Sequence, residues 1–236
     1  QMLDQVRQTH WEQAVRTLPS AATSPYCLLF SSLPSHWQWF IQVRSARWGP
    51  NALAAGDFES LPRLLSSGWR QQREAVTGVD AAVELSVSNP RREGAALHLR
   101  VWPENTAAPP EAIETAPVMI HSAPVPLRAS QLIRIHGWVN IPAPVRGTHD
   151  GLAIFDSVGG WNLAERVKQT TGWREFLLYR AADGDHPLVV TFALTGMGEA
   201  WIDDVSISLW DRSASHVSPP RPVSGPAPPL GRPGPY

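Results

Sequence analysis

From Trp48 to Trp210 the chain is cut into short segments that alternate apolar and polar residues, separated by clusters of Gly, Pro, Asn and Asp. This rhythm constrains the fold more than any other feature. The segments are 82–88, 95–102, 131–141, 151–157, 173–181, 187–195 and 199–209. Successive side chains of a strand point to opposite faces, so strict alternation marks a strand with one face buried and one wet. No helical periodicity separates the segments, so the crossover helices of a parallel sheet have no source. What remains is an antiparallel sandwich or barrel. Segment 131–141 shows the pattern best. Ile133, Ile135, Gly137, Val139 and Ile141 share one face, and Arg134, His136, Trp138 and Asn140 share the other. The Pro- and Ala-rich stretch 103–128 reads as a long irregular connection with one short strand near Val118-Met119-Ile120.

The flanks have a different texture. Residues 1–47 read as short helices: Leu3, Val6, Trp11, Ala14, Val15 and Leu18 follow a helical stripe that Pro19 ends. Ser35 with Gln38 forms a capping box for a further helix carrying Trp37, Phe40, Ile41 and Val43. Residues 217–236 hold eight prolines and three glycines with almost nothing to bury, which predicts an extended tail. The layout is therefore a helical preamble (1–47), a sandwich module (48–212) and a Pro-rich tail (213–236). The opening at Gln1, with no charged-then-apolar leader, reads as a start inside a longer protein.

Several function classes are disfavoured. A net charge of −1 without a basic stripe gives no footprint for nucleic acid. Apolar runs such as Cys27-Leu28-Leu29-Phe30 are too short for membrane insertion. A single cysteine excludes an intrachain disulfide framework and a cysteine-based zinc site. Among the eight histidines there is no helical His-x-x-x-His pair, and no Gly-x-Ser-x-Gly elbow occurs. Asp203 and Asp204 are adjacent on a strand, where alternation would point them apart and unfit them to flank one glycosidic bond. The expectation is a protein that is not an enzyme.

Three phrases carry a resemblance. The first is Asn51-Ala52-Leu53-Ala54-Ala55-Gly56-Asp57-Phe58-Glu59, followed by Gly68-Trp69. The second is Gly172-Trp173-Arg174-Glu175-Phe176, and the third is Gly198-Glu199-Ala200-Trp201-Ile202-Asp203-Asp204-Val205-Ser206-Ile207. In order and spacing they resemble the carbohydrate-binding modules with a galactose-binding-like jelly-roll fold. The resemblance implies an all-β antiparallel sandwich, preceded here by short α-helices and followed by the tail. It also implies an accessory module of a larger bacterial protein, extracellular or in the cell envelope, partnered by its own upstream domains or another subunit. In that family acidic residues of the first and last strands often hold a structural calcium ion. Carried over, the candidate ligands are Glu59 and Asp203, with Asp57 and Asp204 behind them. The other reading has these acids accepting hydrogen bonds in turns or facing solvent.

Eleven tryptophans must be divided between architecture and function. Flat aromatic faces bind the apolar side of a pyranose ring while planar polar groups read its hydroxyls. Trp69, Trp173 and Trp201 lie in the family phrases and are expected in the sandwich core. Trp11, Trp37, Trp39 and Trp48 belong to the preamble, and Trp210 ends the last strand. Trp102, Trp138 and Trp161 remain. His98, Arg100 and Trp102 share the polar face of one strand, as Arg134, His136 and Trp138 do on another. If both faces lie in one sheet they form a polar-aromatic surface for an oligosaccharide or polysaccharide, or a dock for the preamble helices. Trp161 follows a Gly-Gly turn beside Asn162 and Asp156 and is the first candidate for ligand contact. The predicted function is weak glycan binding through Trp161, Trp102 and Trp138 with His98, Arg100, Asn162 and Asp156. The competing reading is a structural or protein-interaction sandwich with no sugar ligand.

Overall fold

A computed structural model describes residues 48–129, 131–182 and 184–210. The preamble 1–47 and the tail 213–236 lie outside the described residues. Ten strands follow in order: β1 (Arg70–Arg73), β2 (Val79–Ser86), β3 (Ala96–Pro103), β4 (Val118–His121), β5 (Leu132–Asn140), β6 (Leu152–Asp156), β7 (Glu165–Val167), β8 (Arg174–Ala181), β9 (Val190–Leu194) and β10 (Gly198–Trp210). They form two five-stranded sheets of order β2-β3-β10-β5-β8 and β1-β4-β9-β6-β7. Every pairing between strands is antiparallel. The fold is the expected all-β jelly-roll sandwich.

Alternation decides which residues meet between the sheets. Leu97, Leu99 and Val101 of β3, Ile133, Ile135 and Val139 of β5, and Ile202, Val205 and Ile207 of β10 enter the core from one sheet. Val118 and Ile120 of β4, Leu152 and Ile154 of β6, and Phe192 and Leu194 of β9 meet them from the other. Each buried aliphatic side chain contributes about 1.5–3 kcal/mol relative to exposure. Gly137 is required where the sheets crowd. A Cβ there would stand 2.6 Å from Cζ of Phe176, which packs edge-on against Phe192 across the core.

Three short elements escape the alternation rule. β1 reads Arg-Gln-Gln-Arg and is exposed along its length, so pairing with β4 rather than an apolar face makes it a strand. β7 spans three residues beside β6. The helix α1 (Leu61–Ser66) is a single turn and a half, capped by Ser60 and opened by a proline, and it buries only Leu64.

β10 also breaks strict alternation. Its register against β5 shifts between Asp203 and Ser206, and Asp204 adopts φ +50°. This bulge inserts an extra residue. Asp203 and Asp204 consequently do not diverge as a regular strand requires: both carboxylates bond Arg91, one through its backbone N–H and the other through its guanidinium.

Candidate functional site

β3 and β5 flank β10 in the same sheet, so their polar faces do share one surface. Across it the register aligns Glu84, His98, Trp201 and Asn140 in one row, and Arg100 with Glu199 in the next. His98 is only 5% exposed. Its Nδ1 lies 3.2 Å from Glu84 and its Nε2 3.3 Å from Glu199, and its ring stacks on Trp201 at 4.1 Å and 10°. His98 therefore organises the carboxylates beside it rather than facing solvent. Trp201 is 7% exposed, yet it lies on this outward face and not in the inter-sheet core where the resemblance placed it. Trp69 is in the core, its indole N–H donating to the Ala54 carbonyl at 2.9 Å. Trp173 is partly buried.

Trp138 is half-covered. The Arg91 guanidinium sits 4.4 Å above its ring while also bonding Asp204 at 2.9 Å, and His136 meets it edge-on. Both the cation–π contact and the carboxylate hold Arg91 over this face.

Trp102 has a different setting. It is 37% exposed and lines a cleft of about 570 Å³ at the strand ends, where β3 finishes and β10 begins. One wall is Trp102 and Pro103, and the other is built from Pro142, Pro144 and Arg146, with Met197 and Glu199 between them. Gly196 permits the approach of these loops: a Cβ there would stand 2.4 Å from the Arg146 carbonyl oxygen. Arg146 and Met197 exchange backbone hydrogen bonds at 2.8 Å, which fixes the arginine beside the start of β10. Glu199 is held from two sides, by His98 at 3.3 Å and by Arg100 at 3.7 Å. Arg100 also lies 5.4 Å from the centre of the Trp102 ring. The cleft thus offers an aromatic wall, proline surfaces and oriented polar groups.

Trp161 and Asn162 lie elsewhere, on a single-turn 3-10 helix (Trp161–Leu163) between β6 and β7 of the other sheet. Trp161 is 41% exposed, with Phe155 edge-on and Arg166 5.4 Å from its ring centre. Asp156 has no free face. It is 1% exposed, accepts from the N–H groups of Val158 and Gly159, and pairs with Arg180 at 2.8 Å. Arg180 also donates to the Leu163 carbonyl at 2.9 Å, so this buried pair holds the Trp161 turn from beneath.

The four acids of the calcium expectation divide. Asp57 pairs with Arg63 at 2.8 Å, and Asp204 is clasped by Arg91. Glu59 accepts from the Ala95 N–H, and Asp203 accepts from the N–H groups of Arg91 and Asp204. Burial pushes the Asp203 carboxyl above its ordinary range, the two N–H bonds pull it down, and the charges of Asp204 and Glu59 push it up again. Of the four acids, Glu59 and Asp203 are the two that interact electrostatically without an arginine side chain between them. Among the described residues no three His, Cys, Asp or Glu side chains gather as a metal site.

Alternation marked Trp102 and Arg100, but it could not mark Arg146, Met197 or the prolines of the cleft. Their position depends on two loops meeting across the sandwich. The nearest signal in the sequence was the spacing of Gly196 and Gly198 before a strand.

No family model and no curated protein matches the chain. Solved structures similar to it are mainly carbohydrate-binding modules. The xylan-binding CBM22-1 domain of Paenibacillus barcinonensis Xyn10C is 15% identical, with a TM-score of 0.43 over 70% of this chain and 97% of that one. TmCBM61, solved with β-1,4-galactotriose, is 17% identical, with a TM-score of 0.42 over 67% of this chain and 98% of that one. The enzymatically active domain of tailspike protein 4 from bacteriophage CBA120 is 13% identical at a TM-score of 0.43, this chain spanning only 21% of its length.

Proposed function

We propose that the sandwich is a non-catalytic glycan-binding module and that its binding site is the cleft at Trp102. The observation that carries this reading is the half-exposed indole set in the wall of an open cleft of about 570 Å³, beside polar groups already held in place. A pyranose laid against an indole gains apolar contact at little cost in side-chain entropy, and its hydroxyls find Glu199, Arg100 and Arg146. Glu199 accepts, whereas the two guanidinium groups only donate, so neighbouring hydroxyls are read in opposite senses. Catalysis is disfavoured by the state of the carboxylates: Asp203 is buried and Asp204 is clasped by arginine, which leaves no matched acid and base there. A glycan ligand places the module's work outside the cell or in its envelope. Among the described residues no helix is long and apolar enough to cross a membrane.

The test is a panel of soluble polysaccharides in affinity gels, run with the full chain and with Trp102→Ala. Retarded migration that disappears in the variant is expected. Unretarded migration with every glycan, or retardation equal in the two proteins, would overturn the reading. Calcium is a separate proposal resting on Glu59 and Asp203, whose mutual repulsion a divalent cation would relieve. A chelator is then expected to lower the melting temperature and added calcium to restore it; an unchanged midpoint removes the ion.

A further inference from the structure

The cleft carries an unbalanced charge. Glu199 already has partners where it stands, the Arg100 guanidinium at 3.7 Å and the His98 ring at 3.3 Å. Arg146 lines the opposite wall, is exposed, and has no carboxylate partner among the described residues. Several other arginines of the described residues are occupied: Arg166 by Asp150, Arg174 by Glu165, Arg180 by Asp156 and Arg91 by Asp204. The main chain of Arg146 is fixed all the same, because its backbone N–H and carbonyl are both bonded to Met197. An arginine anchored through its main chain in the wall of the cleft, with no carboxylate partner for its side chain, offers a planar two-pronged donor to an anion that enters beside the indole.

We infer that the cleft selects anionic sugars, with a carboxylate or sulfate group on Arg146 and the pyranose ring against Trp102. This inference rests on the glycan reading of the same cleft and narrows its ligand class. Guanidinium matches a uronate and a sulfate ester through the same two-pronged hydrogen bonding, so both belong to the inferred class. A neutral sugar would meet Arg146 only through its hydroxyls, without the charge-assisted two-pronged contact.

The experiment titrates the full chain by tryptophan fluorescence with matched polymers. These are polygalacturonate against its fully methyl-esterified form, and a sulfated galactan against the desulfated one. Each pair shares a backbone and differs in charge, and the two pairs separate carboxylate from sulfate as the preferred group. At low salt at least one charged polymer is expected to bind roughly tenfold more tightly than its neutral form, the gap closing in high salt. Arg146→Gln is expected to erase the gap, weakening the charged forms far more than the neutral ones, whereas Trp102→Ala weakens both forms alike. Equal binding of charged and neutral forms in both pairs, or a gap that survives Arg146→Gln, overturns the anionic selection and leaves the glycan site standing. Binding to none of the four, or binding indifferent to Trp102→Ala, overturns the site itself. Unchanged melting temperatures of both variants show that the loss is local.

Discussion

Trp102 and Trp161 look alike by every local measure. They are 37% and 41% exposed, and each has an arginine 5.4 Å from its ring centre. Their surroundings separate them. Trp102 faces an open cleft that also presents Arg146 from the loop after β5 and Glu199 from β10. Trp161 rides a 3-10 turn whose polar groups are spent on holding the turn. Arg166 bonds Asp150 and the Trp161 and Ala164 carbonyls, and the Asp156–Arg180 pair ties the turn to β8. An exposed aromatic becomes a binding residue when its polar neighbours remain free to meet a ligand, and exposure by itself does not distinguish the two cases.

The largest effect that would sharpen this contrast is on stability. Asp156→Ala strands Arg180 in a site where the two side chains are 0% and 10% exposed, so a loss of about 3–5 kcal/mol is expected in urea titration. Glycan affinity at the cleft should not move. A parallel loss of affinity would mean that the two regions are coupled and the contrast is false.

Gly196→Val is the complementary disruption. Its side chain must displace the Arg146 backbone, which a Cβ would meet at 2.4 Å, at a cost of about 1–3 kcal/mol. Here affinity should fall together with the melting temperature, because the wall of the cleft moves. Retained affinity would show that the wall does not contribute.

The smallest expected effect is a pH dependence outside both regions. His121 bonds Thr191 and Gln72, and burial holds its pKa below the usual histidine value. The unfolded chain then takes up a proton that the folded chain resists, so stability falls as the pH drops through the ordinary histidine range. His121→Gln should flatten that slope in denaturation curves across the range. An unaltered slope would assign the acid sensitivity to another group.

Much of the fold was legible because alternation is a local signal and the sandwich uses it. The apolar stripes of β3 and β5 could be read directly, and so could the fact that Trp102 and Trp138 lie opposite them. β1 was not legible, since an Arg-Gln-Gln-Arg strand owes its existence to pairing with β4. The bulge at Asp204 was hidden because alternation says nothing of where an extra residue enters. The site was half legible. Arg100 and Trp102 belong to one strand face, but Arg146 reaches the cleft through a bridge to Met197 that no local pattern encodes. His98 and Asp156 showed the right chemistry for a ligand, and only their burial shows that they serve neighbouring side chains instead.

The proposed glycan site is the cleft and not the Trp161 turn. The most direct measurement is the dissociation constant of one bound polysaccharide for the unaltered chain, Trp102→Ala and Trp161→Ala, side by side. Loss of the cleft indole is expected to weaken binding roughly thirtyfold, about 2 kcal/mol, while loss of Trp161 changes it less than twofold. A large loss in Trp161→Ala with Trp102→Ala unaffected would move the site to the turn.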